Sequence, residues 1–250
     1  DQTPTAIVTD KRTFPLPDGA QITVVRFHAG LVHLALHAGS QDPPLHGVAL
    51  PAAHGSRVTP EEQPHLVAAF NGGFKAADAP GGFIAGGAVI SLPVTGQASL
   101  VVYTDGVAGV GAWNSQYVPQ LDRPVADVRQ NLPPLVTGGQ PNPTLGNVKA
   151  WGDPLHEVPL TARSGAGVDR QGDLLYAASM KALPADLAAA LIRAGATDAM
   201  ELDINPNWVQ LDVASVPGGP LTAAIPGQVR PSQQYVTGWT RDFFTVTADA

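Results

Sequence analysis

The chain contains no cysteine, which removes disulfides, thiol nucleophiles and thiolate metal sites together and leaves the compartment open. Positive charge is also scarce. Fourteen basic residues against 21 acidic ones give a net charge of -7, so a nucleic-acid groove or an anionic membrane surface is not expected as a partner. A single locally bound anion remains compatible with that balance. No apolar run reaches the length needed to span a bilayer, so no membrane insertion is expected. The opening residues DQTPTAIVTDKR have neither a basic nor an apolar signal-like region, and the expectation is an exported protein whose signal has already been removed. Walker A, dinucleotide-fingerprint, His-Glu-x-x-His, EF-hand and Gly-x-Ser-x-Gly patterns are all missing. Of the seven histidines only His33 and His37 stand four residues apart, and they fall in a strand-like run, where that separation spans about 13 Å rather than one helical turn.

What is present suits one large core. The 250 residues are 44% hydrophobic, and 27 glycines and 24 prolines spread along the chain imply many turns between short elements. The expected class is α+β (mixed α/β): a strand-rich single domain over 1–250, with a mixed, twisted sheet and a few packing helices. Residues 1–20 read as an extended lead. Gln21–Phe27 and Leu31–His37 read as a β-hairpin, and 38–51 as loop. Leu66–Phe70 reads as a buried strand breaking into Asn71-Gly72-Gly73, and Ala88–Leu92, Ser99–Thr104 and Val107–Trp113 as a meander turning at Asp105-Gly106. Val125–Leu132, after Pro124, reads as a short helix. Arg163–Gly167 enters a strand at Val168 whose hairpin partner is Leu174–Ala178. The plainest helix is Pro184–Ala194, with Pro184 at its first position, Asp186 in its first turn and Gly195 as its stop. Val209–Val213 and Phe243–Thr247 read as the last strands.

Three places carry candidate chemistry. In AMELDINPNW, read as a strand from Ala199, the side chains of Glu201, Asp203 and Asn205 share one face, and Pro206 stops the strand. The two carboxylate-bearing alpha carbons then lie roughly 6.8 Å apart, close to the roughly 5 to 9.5 Å between the carboxyl groups of glycoside-cleaving sites. A half-solvated strand gives the same pattern. Asn71-Gly72-Gly73, followed by Lys75, presents an amide and two backbone N–H groups to a ligand, or makes an ordinary tight turn. Arg163-Ser164 with its following glycines suits a phosphate or carboxylate, or marks a surface arginine beside a bulge.

Four stretches in order, AAFNGGF at 68–74, the glycine-containing segment around 137–139, RSGAGVD at 163–169 and GATDAMELD at 195–203, resemble the phosphodiester glycosidase family, over roughly residues 65–210. The resemblance implies an exported hydrolase acting at a sugar anomeric carbon joined through phosphate. Asn71, Gly72 and Gly73 match the family's Asn-Gly-Gly-Phe, Arg163 and Ser164 its Arg-Ser/Thr pair, and Asp203 the aspartate of its Leu-Asp-Gly-Gly-Gly-Ser motif. Here Ile204-Asn205-Pro206-Asn207-Trp208 replaces the glycines and serine, as in a divergent, actinobacterial-type branch. Asn205 would then bond a sugar hydroxyl and Trp208 stack on an apolar sugar face.

The resulting expectation is a secreted glycoside hydrolase acting on a cell-surface or environmental glycan through a sugar-1-phosphodiester. Asp203 is base or nucleophile and Glu201 the second carboxyl group. Arg163 neutralises the leaving group with Asn71 and the Gly72-Gly73 amides, and Lys75, Ser164, Asn205 and Trp208 line the substrate site. A glycosidase on a non-phosphorylated polysaccharide and a catalytically inactive glycan-binding module are the alternatives. No cofactor is expected, although Glu201 and Asp203 could ligate a divalent cation. Sugar identity, stereochemistry and oligomeric state are not legible.

Overall fold

The structure is a computed structural model that describes residues 8–115, 118–152 and 158–248. Its strands, in chain order, are β1 (Val8–Pro15), β2 (Gln21–Phe27), β3 (His33–His37), β4 (Leu66–Asn71), β5 (Phe83–Ala85), β6 (Ala88–Ser91), β7 (Ala98–Tyr103), β8 (Ala108–Ala112), β9 (Val125–Gln130), β10 (Val136–Thr137), β11 (Gln140–Pro141), β12 (Thr161–Asp169), β13 (Leu174–Ala182), β14 (Ala196–Glu201), β15 (Leu211–Val213), β16 (Thr222–Ala223) and β17 (Phe243–Thr247). The helices are α1 (Pro184–Arg193) and the single turn α2 (Gln234–Thr237). The strand-rich α+β class is as expected. The strands divide among three sheets, ordered β1-β2-β13-β12-β14-β10-β11, β16-β15-β4-β17-β3 and β6-β5-β9-β7-β8, and every ladder between them is antiparallel.

All three sheets contribute to one apolar core, in which Phe27, Tyr176, Met200 and Leu202 of the first sheet and its strand ends meet Phe70 and Phe244 of the second and Leu100 and Val102 of the third. Alternation along the strands sends the other side chains of the first sheet outward, where Ile22, Val24, Leu175 and Ala199 pack on Leu187 and Leu191 of α1. Gly165 permits that approach: a Cβ there would lie 2.8 Å from the Met200 carbonyl oxygen and 3.2 Å from the Leu187 side chain. α1 begins at Pro184, the Asp186 carboxylate accepts the Leu183 N–H at 2.9 Å, and Gly195 ends it at φ 107°.

Several local expectations change in the tertiary setting. β2 and β3 are not a hairpin: β2 lies between β1 and β13, and β3 pairs with β17 in another sheet. Each run reads as a strand on its own, but its partner is chosen by long-range burial, which periodicity does not encode. The 125–132 stretch is strand β9, not a helix, because Val128 is buried and its backbone pairs with both β5 and β7. β7 and β8 do turn at Gly106 (φ 79°), while β6 pairs with β5 at the sheet edge and so leaves the meander. The strand leading to Asp203 ends at Glu201, so Asp203 and Asn205 lie beyond its regular ladder.

Candidate active site

One rim of the molecule collects the ends of elements from all three sheets: Asn71 closes β4, Arg129 and Gln130 close β9, Ser164 sits in β12, Asp203 follows β14, and Arg241 and Asp242 precede β17. Asn71, Arg129, Gln130 and Ser164 are still paired in their ladders, while Asp203, Arg241 and Asp242 lie just beyond theirs and turn toward the same point.

The two glycines after Asn71 are required by close approach. A Cβ on Gly72 would lie 1.8 Å from Oδ2 of Asp242, and one on Gly73 would lie 2.9 Å from Cζ of Arg129. Those two side chains form a buried ion pair, with Arg129 Nε donating to Asp242 Oδ2 at 2.7 Å. The glycine N–H groups are also occupied, since Gly72 donates to the Asp242 carbonyl at 3.0 Å and Gly73 to Asp242 Oδ2 at 3.2 Å. The Asn71 side chain is likewise fully engaged. Its Nδ2 donates to the Gly72 carbonyl and to Ser164 Oγ, both at 2.9 Å, and its Oδ1 accepts the Tyr176 hydroxyl at 2.7 Å and the Gln210 N–H at 3.1 Å. Ser164 Oγ passes the chain on to the Asp203 carbonyl at 2.7 Å. Asn71, Ser164 and the Asp203 backbone are therefore joined in a rigid internal network, with every one of these donors committed within the protein.

Asp203 carries a different load. Its Oδ1 accepts the Asn205 N–H at 2.7 Å and its Oδ2 the Arg241 Nη2 at 3.3 Å, while the same guanidinium holds the Gly73 carbonyl at 3.1 Å. Burial raises the Asp203 pKa to about 7 and Asp242 adds repulsion, against the opposing pull of the Asn205 N–H and the Arg241 and Arg129 charges. Asp203 nevertheless lines a cavity of about 520 Å³, together with Phe74, Lys75, Leu132, Lys149, Ile204 and Trp208. Asp78 and Asn205 also border it.

Arg163 and Glu201 are placed elsewhere. Both are 0% exposed, and Arg163 Nη1 meets Glu201 Oε1 at 2.6 Å on the α1 side of the first sheet. Arg163 also donates to the carbonyls of Trp151 at 2.9 Å and Ala182 at 3.2 Å. Burial outweighs the adjacent guanidinium and lifts the Glu201 pKa to about 7. Neither side chain lines the cavity. The physical reason is the strand period: Ser164 faces the inner core, so its neighbour Arg163 must face the other way. The pair instead anchors Trp151, and with it the 148–152 segment that brings Lys149 to the cavity wall.

Lys75, Asn205 and Trp208 do reach the cavity. Trp208 is in contact with two cations, the exposed Lys75 ammonium at 5.0 Å and the buried Arg241 guanidinium at 4.4 Å from its ring centre. The 137–139 glycines form a tight turn between β10 and β11 at the opposite end of β14 from Asp203, hydrogen-bonded to Thr197 and Asp198. Among the described residues, no group of three or more His, Asp or Glu side chains is placed to hold a metal ion.

Sequence reasoning missed Arg129, Lys149, Arg241 and Asp242. Arg129 was concealed by the helical reading of 125–132, and Lys149 by a proline-rich loop. Arg241-Asp242 did leave a signal, two charges abutting a wholly apolar strand, the position of a paired group at a sheet end.

The model of the phosphodiester glycosidase family matches residues 64–203, more than half of the chain. Among solved structures, the zebrafish N-acetylglucosamine-1-phosphodiester alpha-N-acetylglucosaminidase catalytic domain auto-inhibited by its pro-peptide is similar over 96% of this chain and 82% of that one, with a TM-score of 0.62 and 16% identity. A hypothetical protein from Synechocystis is similar over 96% of this chain and 61% of that one, at a TM-score of 0.52 and 14% identity. No curated protein sequence matches the chain. The likenesses in structure concern the fold, and the sequence match covers the four motif stretches through Asp203: the chain belongs to the phosphodiester glycosidase family.

Proposed function

We propose that the protein is a hydrolase that cleaves the bond between a sugar anomeric carbon and a phosphodiester, with Asp203 as its general base. One observation carries this reading. Of the two carboxyl groups bordering the cavity, Asp203 is buried with a pKa near 7 while Asp78 is exposed, and Lys75 and Lys149 border the same space. A base with that pKa is half ionised at neutral pH, where proton transfer is most effective. Ionised Asp203 takes a proton from water as the water oxygen bonds to the anomeric carbon. The carbon–oxygen bond to phosphate breaks and its electron pair leaves with the phosphomonoester, whose charge the two lysines neutralise. Phosphate needs little protonation to depart, so one accessible carboxyl group suffices. Glu201, closed off by Arg163, takes no part in the proton transfer, and the anomeric configuration inverts.

The family membership supports a sugar-phosphate substrate on a glycan, and the resemblance to exported hydrolases supports an extracytoplasmic setting, which fractionation of cells expressing the full gene tests. For the reaction, the methyl diester of N-acetylglucosamine 1-phosphate is incubated in heavy-oxygen water. We expect label in the sugar, inversion by proton NMR, and a loss of kcat of about 100-fold or more in Asp203→Asn. Retained configuration would make Asp203 the nucleophile, label in the phosphate would move attack to phosphorus, and undiminished turnover in the variant would remove Asp203 from the chemistry.

A further inference from the structure

We infer that the alcohol on the leaving side of the substrate is apolar, an alkyl or aryl group seated against Phe74, Leu132 and Ile204 while its phosphate lies between Lys75 and Lys149. The inference rests on the phosphodiester reading above and names the half of the substrate which that reading leaves open.

The wall is built, not incidental. Phe74, Ala79 and Ile204 form a small apolar cluster with Leu132 packed on it, separate from the main core, and three of these four side chains border the cavity. Gly152, at φ 93°, closes the wall against the next segment: a Cβ there would lie 2.6 Å from Ile204 Cδ1 and 2.7 Å from Phe74 Cζ. Both sides are pinned from behind. The Phe74 N–H donates to Asn131 Oδ1 at 3.4 Å and its carbonyl accepts Arg129 Nη2, while Arg163 and Thr144 fix the backbone and the indole of Trp151. Lys75 and Lys149 thus project from fixed points on either segment. Among the described residues neither ammonium has an ion-pair partner.

The polar capacity of the cavity is limited and already assigned. Besides the two lysines facing the phosphate, the polar side chains that border it are Asp203, Asn205, Asp78 and the indole N–H of Trp208, enough for the hydroxyls of one sugar. Phe74, Leu132, Ala150, Gly152 and Ile204 offer no side-chain donor or acceptor. A second sugar, or glycerol, placed there would surrender water from its hydroxyls without regaining hydrogen bonds, whereas an alkyl chain would gain by leaving water.

The test compares two diesters of N-acetylglucosamine 1-phosphate with the same charge, one made with n-hexanol and one with glycerol. We expect kcat/KM for the hexyl diester to exceed that for the glyceryl diester by about 10-fold or more, and the ratio to fall toward one in Leu132→Ser and in Ile204→Gly. Because the ratio is taken within each variant, loss of folded protein does not imitate the result, and circular dichroism melts confirm what fraction is native. A ratio at or below one in the parent protein, or one that survives both substitutions, overturns the inference. If no diester is hydrolysed at all, the proposed reaction fails but the wall is still tested. Calorimetry with n-hexyl phosphate and glycerol phosphate should then show tighter hexyl binding that is lost in the same two variants, and equal affinities reject it.

Discussion

Asp203 keeps its proton to about pH 7 because burial penalises the carboxylate more than the Asn205 N–H and the Arg241 guanidinium stabilise it. The unfolded chain releases the same proton near 3.8. A folded state that binds a proton more tightly is favoured by it, so this contribution to stability is complete below about pH 4 and is lost as pH rises through 7. Asparagine has no proton to lose. Denaturant unfolding of Asp203→Asn and the parent protein should therefore diverge from about pH 4 upward, with the variant on the order of a few kcal/mol more stable at pH 8. The activity of the parent should rise along a limb centred near pH 7 as the base form appears. A parallel pair of stability curves, or a flat rate profile between pH 5 and 8, would mean that this carboxyl group titrates elsewhere. The residue itself was readable from its motif, but its environment was not, since Arg241 lies 38 positions away with no pattern linking the two.

Along β12 the period of two decides which side chains can act together. The sequence offers Arg163-Ser164 as an adjacent fork and hydroxyl, yet neighbours on a strand project to opposite faces. The alternation that grouped Glu201 with Asp203 separates Arg163 from Ser164, and Glu201 parts from Asp203 because the ladder stops between them. Pairing of β9 with two neighbours was equally invisible, because helix and strand propensities in a six-residue stretch are weaker than long-range pairing. The buried pair gives a test. Arg163→Met or Glu201→Gln alone leaves an imperfectly matched polar group in an apolar interior and should cost about 3 to 5 kcal/mol for the arginine change, less for the glutamine. The double change Arg163→Met with Glu201→Leu should recover most of that loss in denaturant melts. It still deprives the Trp151 carbonyl of its donor, so the lysine-bearing wall loosens and KM rises more than kcat falls. A collapse of kcat in the refolded double variant as deep as that of Asp203→Asn would instead put the arginine on the substrate.

At the scale of the whole molecule the site exists only because three sheets share one core and their strand ends meet at one rim. The Tyr176–Asn71–Ser164–Asp203 relay of hydrogen bonds crosses from one sheet to another and back. No local pattern encodes such a crossing, although the order of the motifs does anticipate which segments take part. The electrostatics at this scale are opposed: the chain carries a net charge of -7, while the cavity presents Lys75 and Lys149 to its substrate. A phosphodiester approaching through solvent feels repulsion spread over the surface, and at the cavity mouth it feels the two nearby ammonium groups. Salt screens both beyond a Debye length of about 10 Å at 0.1 M. With the lysines present the close attraction dominates, so kcat/KM for the hexyl diester should fall by about 2- to 3-fold between 0.02 and 0.3 M salt. In the Lys75→Ala/Lys149→Ala double variant the repulsion outweighs the attraction of the buried, ion-paired Arg241. Activity should then be at least about 10-fold lower at low salt and rise as salt is added, reversing the sign of the slope. Slopes of the same sign in both proteins would show that these lysines do not meet the phosphate, and would leave the approach of the substrate to be explained by the buried Arg241 alone.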